Sequence, residues 1–196
     1  KKGPAEGRFK DKVRVSGMPC GGVSEVTGPL TWQGVFNLGL FWGQRSRRGF
    51  HRGNKFCSNG KEKSDYVIAL IHWGKEDSHN LEPVQVETSK LYIEAGADVI
   101  VGTHAHTLQG IEFYNDRPII YNIGDFIFNN ESKDTGIFQI KLNNDGKMTY
   151  HFIPAHQENE YTDILHNEER TKVINDINSW SINAKINESG QIEKTS

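Results

Sequence analysis

The sequence predicts an α/β chain in which a strand, a helix and a second, parallel strand are followed by antiparallel strands. Three observations predict it. DYVIALIH from Asp65 and ADVIVG from Ala97 are short, apolar and rich in β-branched residues, the mark of strands buried on both faces. A stretch with helical caps lies between them. Beyond residue 110 come paired strand signals, IEFYN with PIIYNIG and GIFQIKL with MTYHFIP.

The 196 residues suit one domain or a domain with an appendage. A chain of about 150 residues already buries roughly two-thirds of its unfolded surface, so length allows a sizeable core. The net charge of −2 gives no reason to expect nucleic acid as a partner. Its distribution is uneven. Residues 1–64 carry 13 Lys and Arg against 4 Asp and Glu, a net +9, and the rest carries −11. This divides the chain into a poorly patterned basic segment (1–64), a patterned segment (65–160) and a polar tail with an amphipathic helix (161–196). Scattered Lys and Arg suit a solvated arm, and an anionic polymer or lipid headgroups are the other reading.

Cys20 and Cys57 stand far apart with no CxxC, so cysteine carries no metal or redox signal. The sequence has no apolar run of about 18 residues and no signal-like start. The opening KKGPAEG suggests a fragment whose missing upstream segment supplies any membrane contact.

Taken in order, residues 1–64 read as mainly irregular, with one strand expected at VFNLGLFW, 35–42. The strand DYVIALIH is followed by the loop WGKEDSHN. Asn80 is the expected N-cap of a helix with Pro83 in its first turn, Val84, Thr88, Leu91 and Ala95 on one face, and Gly96 as its stop. ADVIVG then pairs parallel to the first strand through a right-handed crossover. A hairpin is expected around Asp116 and Arg117, and another between strands at 137–142 and 148–154 through Asn144, Asp145 and Gly146. Val173, Ile177 and Trp180 share one face of a helix expected from Glu168 to Ser181, after which the chain should fray.

The chemistry lies in three histidines placed at or just past strand carboxyl ends, where open α/β sheets bind ligands. His104 and His106, separated by one residue, reach one centre if the chain between them is irregular or extended, and Gly102 offers a tight turn. His72 alone is either a structural histidine or a third ligand. Glu76 and Asp125 are candidates to bind an ion or orient a histidine, and Asp77 a weaker one. His79 reads as solvent-exposed. Trp73, Phe126 and Phe128 read as packing residues.

The runs IALIHWGKE (68–76) and AGADVIVGTHAHTLQGIEFYNDRPIIYNIGDFIF (95–128) resemble the CapA/PgsA capsule-biosynthesis family, the poly-γ-glutamate synthesis proteins of the calcineurin-like metallophosphatase superfamily. The resemblance covers about Asp65 to Gln139 and rests on the His-Trp-Gly, Gly-x-His-x-His and Tyr-x-x-Gly-x-Phe runs, in order and at the right spacing. It implies a two-sheet sandwich, here partial. It also implies metal-ligand positions at His72, His104 and His106, catalytic roles for His104 and Glu76, and divalent metal ions of the Mn, Fe or Zn class. The implied partner is an anionic cell-surface polymer or its synthesis machinery, at the cell envelope or outside the cell.

Two departures stand out. Asp125 replaces the Asn usual in the family. The family's N-terminal ligand runs, Gly-Asp and then Asn-Asn-His with Asp, do not occur in residues 1–64, which read as a divergent extension or as out-of-frame sequence. The recognisable parts therefore do not assemble a two-metal centre, and one metal remains possible. The expectations that follow are a metal-dependent phosphoesterase or related hydrolase, a non-catalytic envelope binding or scaffold protein, or an inactive fragment.

Overall fold

The computed structural model describes residues 12–17, 23–27, 61–62, 65–128, 131–143 and 145–196. Its largest unit is a six-stranded mixed sheet in the order β2-β1-β3-β4-β6-β5. The strands are β1 (Lys12–Gly17), β2 (Val23–Thr27), β3 (Tyr66–Trp73), β4 (Val99–His104), β5 (Ile111–Tyr114) and β6 (Arg117–Ile120). Strands β1, β3, β4 and β6 run parallel, while β2 and β5 are antiparallel edges. A three-stranded antiparallel sheet, β7 (Ser132–Leu142), β8 (Met148–Glu158) and β9 (Tyr161–Ile164), forms a second layer. Helices α1 (Pro83–Glu94) and α2 (Asn167–Trp180) and a terminal hairpin, β10 (Ala184–Ile186) with β11 (Ile192–Lys194), complete the fold.

Successive residues of a strand point to opposite faces, and here both faces are buried. Ile68, Val99, Val101 and Ile120 face a core shared with Phe152 of β8 and Val173, Ile174 and Ile177 of α2. Ala69, Ile100, Ile119 and Tyr121 face the other way, against Tyr92 and Ile93 of α1. The apolar runs are continuous because neither face meets water. The expected strand–helix–strand unit followed by antiparallel strands is therefore present as a partial α/β sandwich.

Several details differ from expectation. Helix α1 begins after Glu82, whose N–H donates to Gln85 Oε1 at 2.9 Å, rather than after Asn80. Its buried face is Gln85, Ser89, Tyr92 and Ile93, whereas Val84 and Leu91 are 52% and 38% exposed. The reason is that the two polar residues find partners inside: Gln85 bonds Gln109, and Ser89 donates to the Val86 carbonyl. The β5–β6 turn is Asn115–Asp116, one residue earlier than expected. Both residues have positive φ, 50° and 60°, as a two-residue type I′ hairpin requires and as Asn and Asp tolerate. Strand β7 begins five residues before, and β8 ends four residues after, the expected limits.

The chain end is ordered rather than frayed. The Ile182 N–H donates to the Ile111 carbonyl at 2.8 Å, Asn183 bonds both backbone groups of Phe113, and the Phe152 N–H donates to the Gly190 carbonyl at 2.8 Å. The terminal hairpin thus clips edge strand β5 to β8. Among the described residues before 65 are two strands, β1 and β2, and the strand expected at 35–42 lies outside the described residues.

Gly102 is where β3, β4 and β6 meet. A Cβ there would lie 1.9 Å from the Tyr121 carbonyl oxygen and 2.3 Å from Trp73 Nε1. The bare backbone lets the Trp73 indole N–H donate across β4 to the Tyr121 carbonyl at 2.9 Å. Gly102→Ala should therefore destabilise the chain by about 1–3 kcal/mol, the usual cost of overpacking a tight core. Urea unfolding midpoints of the two proteins check this, and an unchanged midpoint would refute it.

Candidate metal centre

The carboxyl ends of three parallel strands converge, and each delivers a piece of the site. Strand β3 carries His72 as its penultimate residue and leads into the loop bearing Glu76, β4 ends with His104 and leads to His106, and β6 leads through Asn122 to Asp125. Register fixes the first two, since Trp73 pairs with His104 and His72 with Thr103.

Glu76, His104 and His106 offer ligand atoms that all lie within 4.8 Å of one another. His104 Nε2 is 4.0 Å from Glu76 Oε1. The His72 ring packs on His104 with centroids 4.3 Å apart, and its Nδ1 lies 3.4 Å from Thr103 Oγ1. His72 thus borders the closest-set group without belonging to it, and Glu76, expected to act in catalysis, stands among the donors. Burial and the neighbouring His104 and His106 lower the pKa of His72, against a weaker opposing effect of Glu76. That keeps its imidazole neutral, the form a metal binds.

The backbone here is unusual. His104 has φ 94° and His106 φ 54°, values uncommon among non-glycine residues, although His adopts them more often than most. The histidines themselves make the turn expected of Gly102, which is in the strand for the close approach described above. Such strain persists where surrounding structure over-determines it, and it clusters at functional sites.

Asp125 orients His106. Its carboxylate oxygens lie 2.8 and 3.0 Å from His106 Nδ1, and the residue is only 5% exposed. An N–H at Nδ1 leaves Nε2 as the nitrogen free to take a metal, the carboxylate–histidine arrangement common behind metal ligands. Phe128 closes the other side, its ring centroid 4.6 Å from that of His106. Phe126, expected to pack, is instead 40% exposed, and its carbonyl accepts a bond from the Thr162 hydroxyl of β9. Trp73 packs as expected, against Tyr121.

Asp77 takes no part in the donor set. It pairs with Lys133 at 2.7 Å, and that hydrogen bond lowers its pKa. Its backbone N–H donates to the Ala105 carbonyl at 2.8 Å, tying the Glu76 loop to the histidine segment. His79 is exposed as expected, yet it stacks on Trp180 with centroids 4.1 Å apart. A cleft of about 420 Å³ opens at Asp77 and Thr107, the chain neighbours of Glu76 and His106, and runs past Lys133 to Trp180. The outer sheet holds Ser132, His156 and Asp134 in the order of a hydrolase triad, with Ser132 Oγ 3.1 Å from Nε2 and Asp134 Oδ1 2.7 Å from Nδ1. Glu158, 3.5 Å from the same Nε2, competes for it, and Lys172 joins Asp134 at 3.7 Å. The set is a cross-strand ion-pair network.

Residues 55–130 match the family described as Bacterial capsule synthesis protein PGA_cap. This segment is similar to the CapA/PgsA capsule-synthesis proteins. It is 34% identical over 97 residues to the capsule biosynthesis protein CapA of Bacillus anthracis, covering 48% of this chain and 24% of that protein. It is 33% identical over 100 residues to the PGA biosynthesis protein CapA of Bacillus subtilis strain 168, covering 50% of this chain and 26% of that protein. A probable polyglutamine synthesis accessory protein of Mycobacterium tuberculosis is 33% identical over 67 residues, 34% of this chain and 18% of that protein. The aligned part thus spans about a quarter of each CapA relative.

The orienting role of Asp125 can be separated from its charge. Asp125→Asn keeps an acceptor for His106 Nδ1–H and should weaken metal binding by less than about tenfold, whereas Asp125→Ala should weaken it by about 10- to 100-fold. Titration calorimetry with Zn²⁺ or Mn²⁺ checks both, and equal affinities for the Ala variant and the parent would refute the role.

Proposed function

We propose that this chain is part of a capsule or poly-γ-glutamate synthesis protein of the cell envelope, and that its histidine cluster holds one divalent ion of the Mn, Fe or Zn class. The observation that carries this reading is the placement of the donor set. Glu76, His104 and His106 gather at the strand ends inside the segment shared with the CapA proteins. Two imidazoles with one carboxylate suit a first-row divalent ion, and His72 is the nearest further imidazole.

A bound ion would polarise a phosphoryl or acyl oxygen and lower the pKa of water. The protein's own groups do the remaining work. Asp125 fixes the His106 tautomer, and the neutral His72 stays free of the proton that would bar it from a metal. Glu76, 64% exposed at its side chain, is placed to take a proton from an attacking water. If His104 instead passes that proton to a leaving oxygen, it leaves the donor set, and the ion would be held by Glu76, His106 and the adjacent His72. The cleft from Asp77 to Trp180 is lined by the chain neighbours of Glu76 and His106, not by the donors themselves, and in this reading a polymer would lie beside the cluster. The partner in this reading is an anionic cell-surface polymer or its synthesis machinery.

A second reading is a non-catalytic envelope binding protein on the same scaffold. The donor set favours it, because among the described residues Glu76 is the one carboxylate in the group, and no bridging carboxylate joins it. No helix among the described residues is long and apolar enough to cross a membrane.

Changing His104 and His106 together to Ala should abolish tight metal binding while far-ultraviolet circular dichroism stays unchanged. Metal content by plasma mass spectrometry checks this, and retained metal would sink the site. Metal-dependent turnover of a chromogenic phosphodiester by the parent supports the hydrolase. Polymer binding without turnover supports the scaffold.

A further inference from the structure

Glu76 sits on an exposed loop, yet it must hold a fixed place beside His104 to serve as a donor. What fixes it lies beneath the loop. Gln109 and Gln85 are buried, with 1% and 0% exposure, and their amides are joined by a bond from Gln85 Nε2 to Gln109 Oε1 at 2.9 Å. Gln109 Nε2 donates to two carbonyls of the Glu76 loop, Ser78 at 2.9 Å and Asn80 at 3.3 Å. Gln85 Oε1 accepts the Glu82 N–H at the loop's far end, and its amide packs under Gly74 at the near end, 3.1 Å from where a Cβ would stand. The Gln109 backbone N–H donates to the Asn122 carbonyl at 3.2 Å, on the segment that carries Asp125.

We infer that Gln109, supported by Gln85, is the positioning residue of the metal centre. It lies three residues after His106, grips the Glu76 loop with its side chain, and grips the Asp125 segment with its backbone. The inference rests on the metal site proposed above. Its chemical basis is that a primary amide supplies two donors and an acceptor at once. Part-buried carbonyls left without a donor are costly, so removing the amide should let the loop shift even though the Asp77 N–H still bonds the Ala105 carbonyl. Gln109 touches no ligand atom; its effect is exerted through Glu76.

The test uses cobalt(II) as the probe, because its visible absorption reports coordination number. In the parent protein, Glu76→Ala should weaken cobalt binding and change the band. Gln109→Glu, whose carboxylate cannot donate to the Ser78 and Asn80 carbonyls, should raise the dissociation constant about tenfold or more and shift the band toward that of Glu76→Ala. Gln85→Met keeps the packing volume, removes the amide's support, and should shift the band in the same direction. It carries the test if Gln109→Glu does not fold. Parent-like affinity and spectrum in a folded Gln109→Glu or Gln85→Met protein would overturn the inference while the metal site stands. A parent that binds no cobalt would overturn both.

Discussion

Three strand ends are tied at one point by a contact that only glycine permits. The Trp73 indole crosses β4 over Gly102 and donates to the Tyr121 carbonyl, so β3, β4 and β6 end together. His72 immediately precedes this knot on β3, His104 follows it by two residues on β4, and Asp125 follows by four residues on the extension of β6. The histidines can therefore turn at positive φ on a rigid base. Without the crossing, bringing Glu76, His104 and His106 together would cost more conformational entropy.

The layers on either side explain why the base is rigid. Alternate residues of β3, β4 and β6 pack into two different cores, one under α1 and one under α2 and the outer sheet. A shift of one residue in any of these strands would exchange the two sets, so register is strongly specified. The terminal hairpin adds a clamp between β5 and β8 that no apolar periodicity announces.

Much of this was legible in the sequence. Continuous β-branched runs mark two-sided burial, and β3, β4 and the antiparallel strands follow from them. Helix α2 follows from Val173, Ile177 and Trp180, which pack as their spacing requires. The buried face of α1 was not legible, because Gln85 and Ser89 look like surface residues until Gln109 and the Val86 carbonyl are found beside them. The terminal hairpin was hidden because its strands are three residues each and its anchors are polar, Asn183 above all. In the site, the histidine pair announces itself by spacing. The bond from Asp125 to His106 joins residues 19 apart and depends on how β6 returns beside β4. Gln109 was not legible, because an amide in the run His106-Thr107-Leu108-Gln109-Gly110 looks like any loop residue until its partners are found.

The chain thus combines a segment shared with capsule-synthesis proteins with a compact cluster of side chains that are candidates to hold a metal ion. The most direct test of that claim is X-ray absorption at the metal edge of zinc-loaded protein. The account predicts at least two imidazole nitrogens at about 2.0–2.1 Å with the outer-shell scattering of histidine rings. A first shell of oxygens with no imidazole scattering would contradict it.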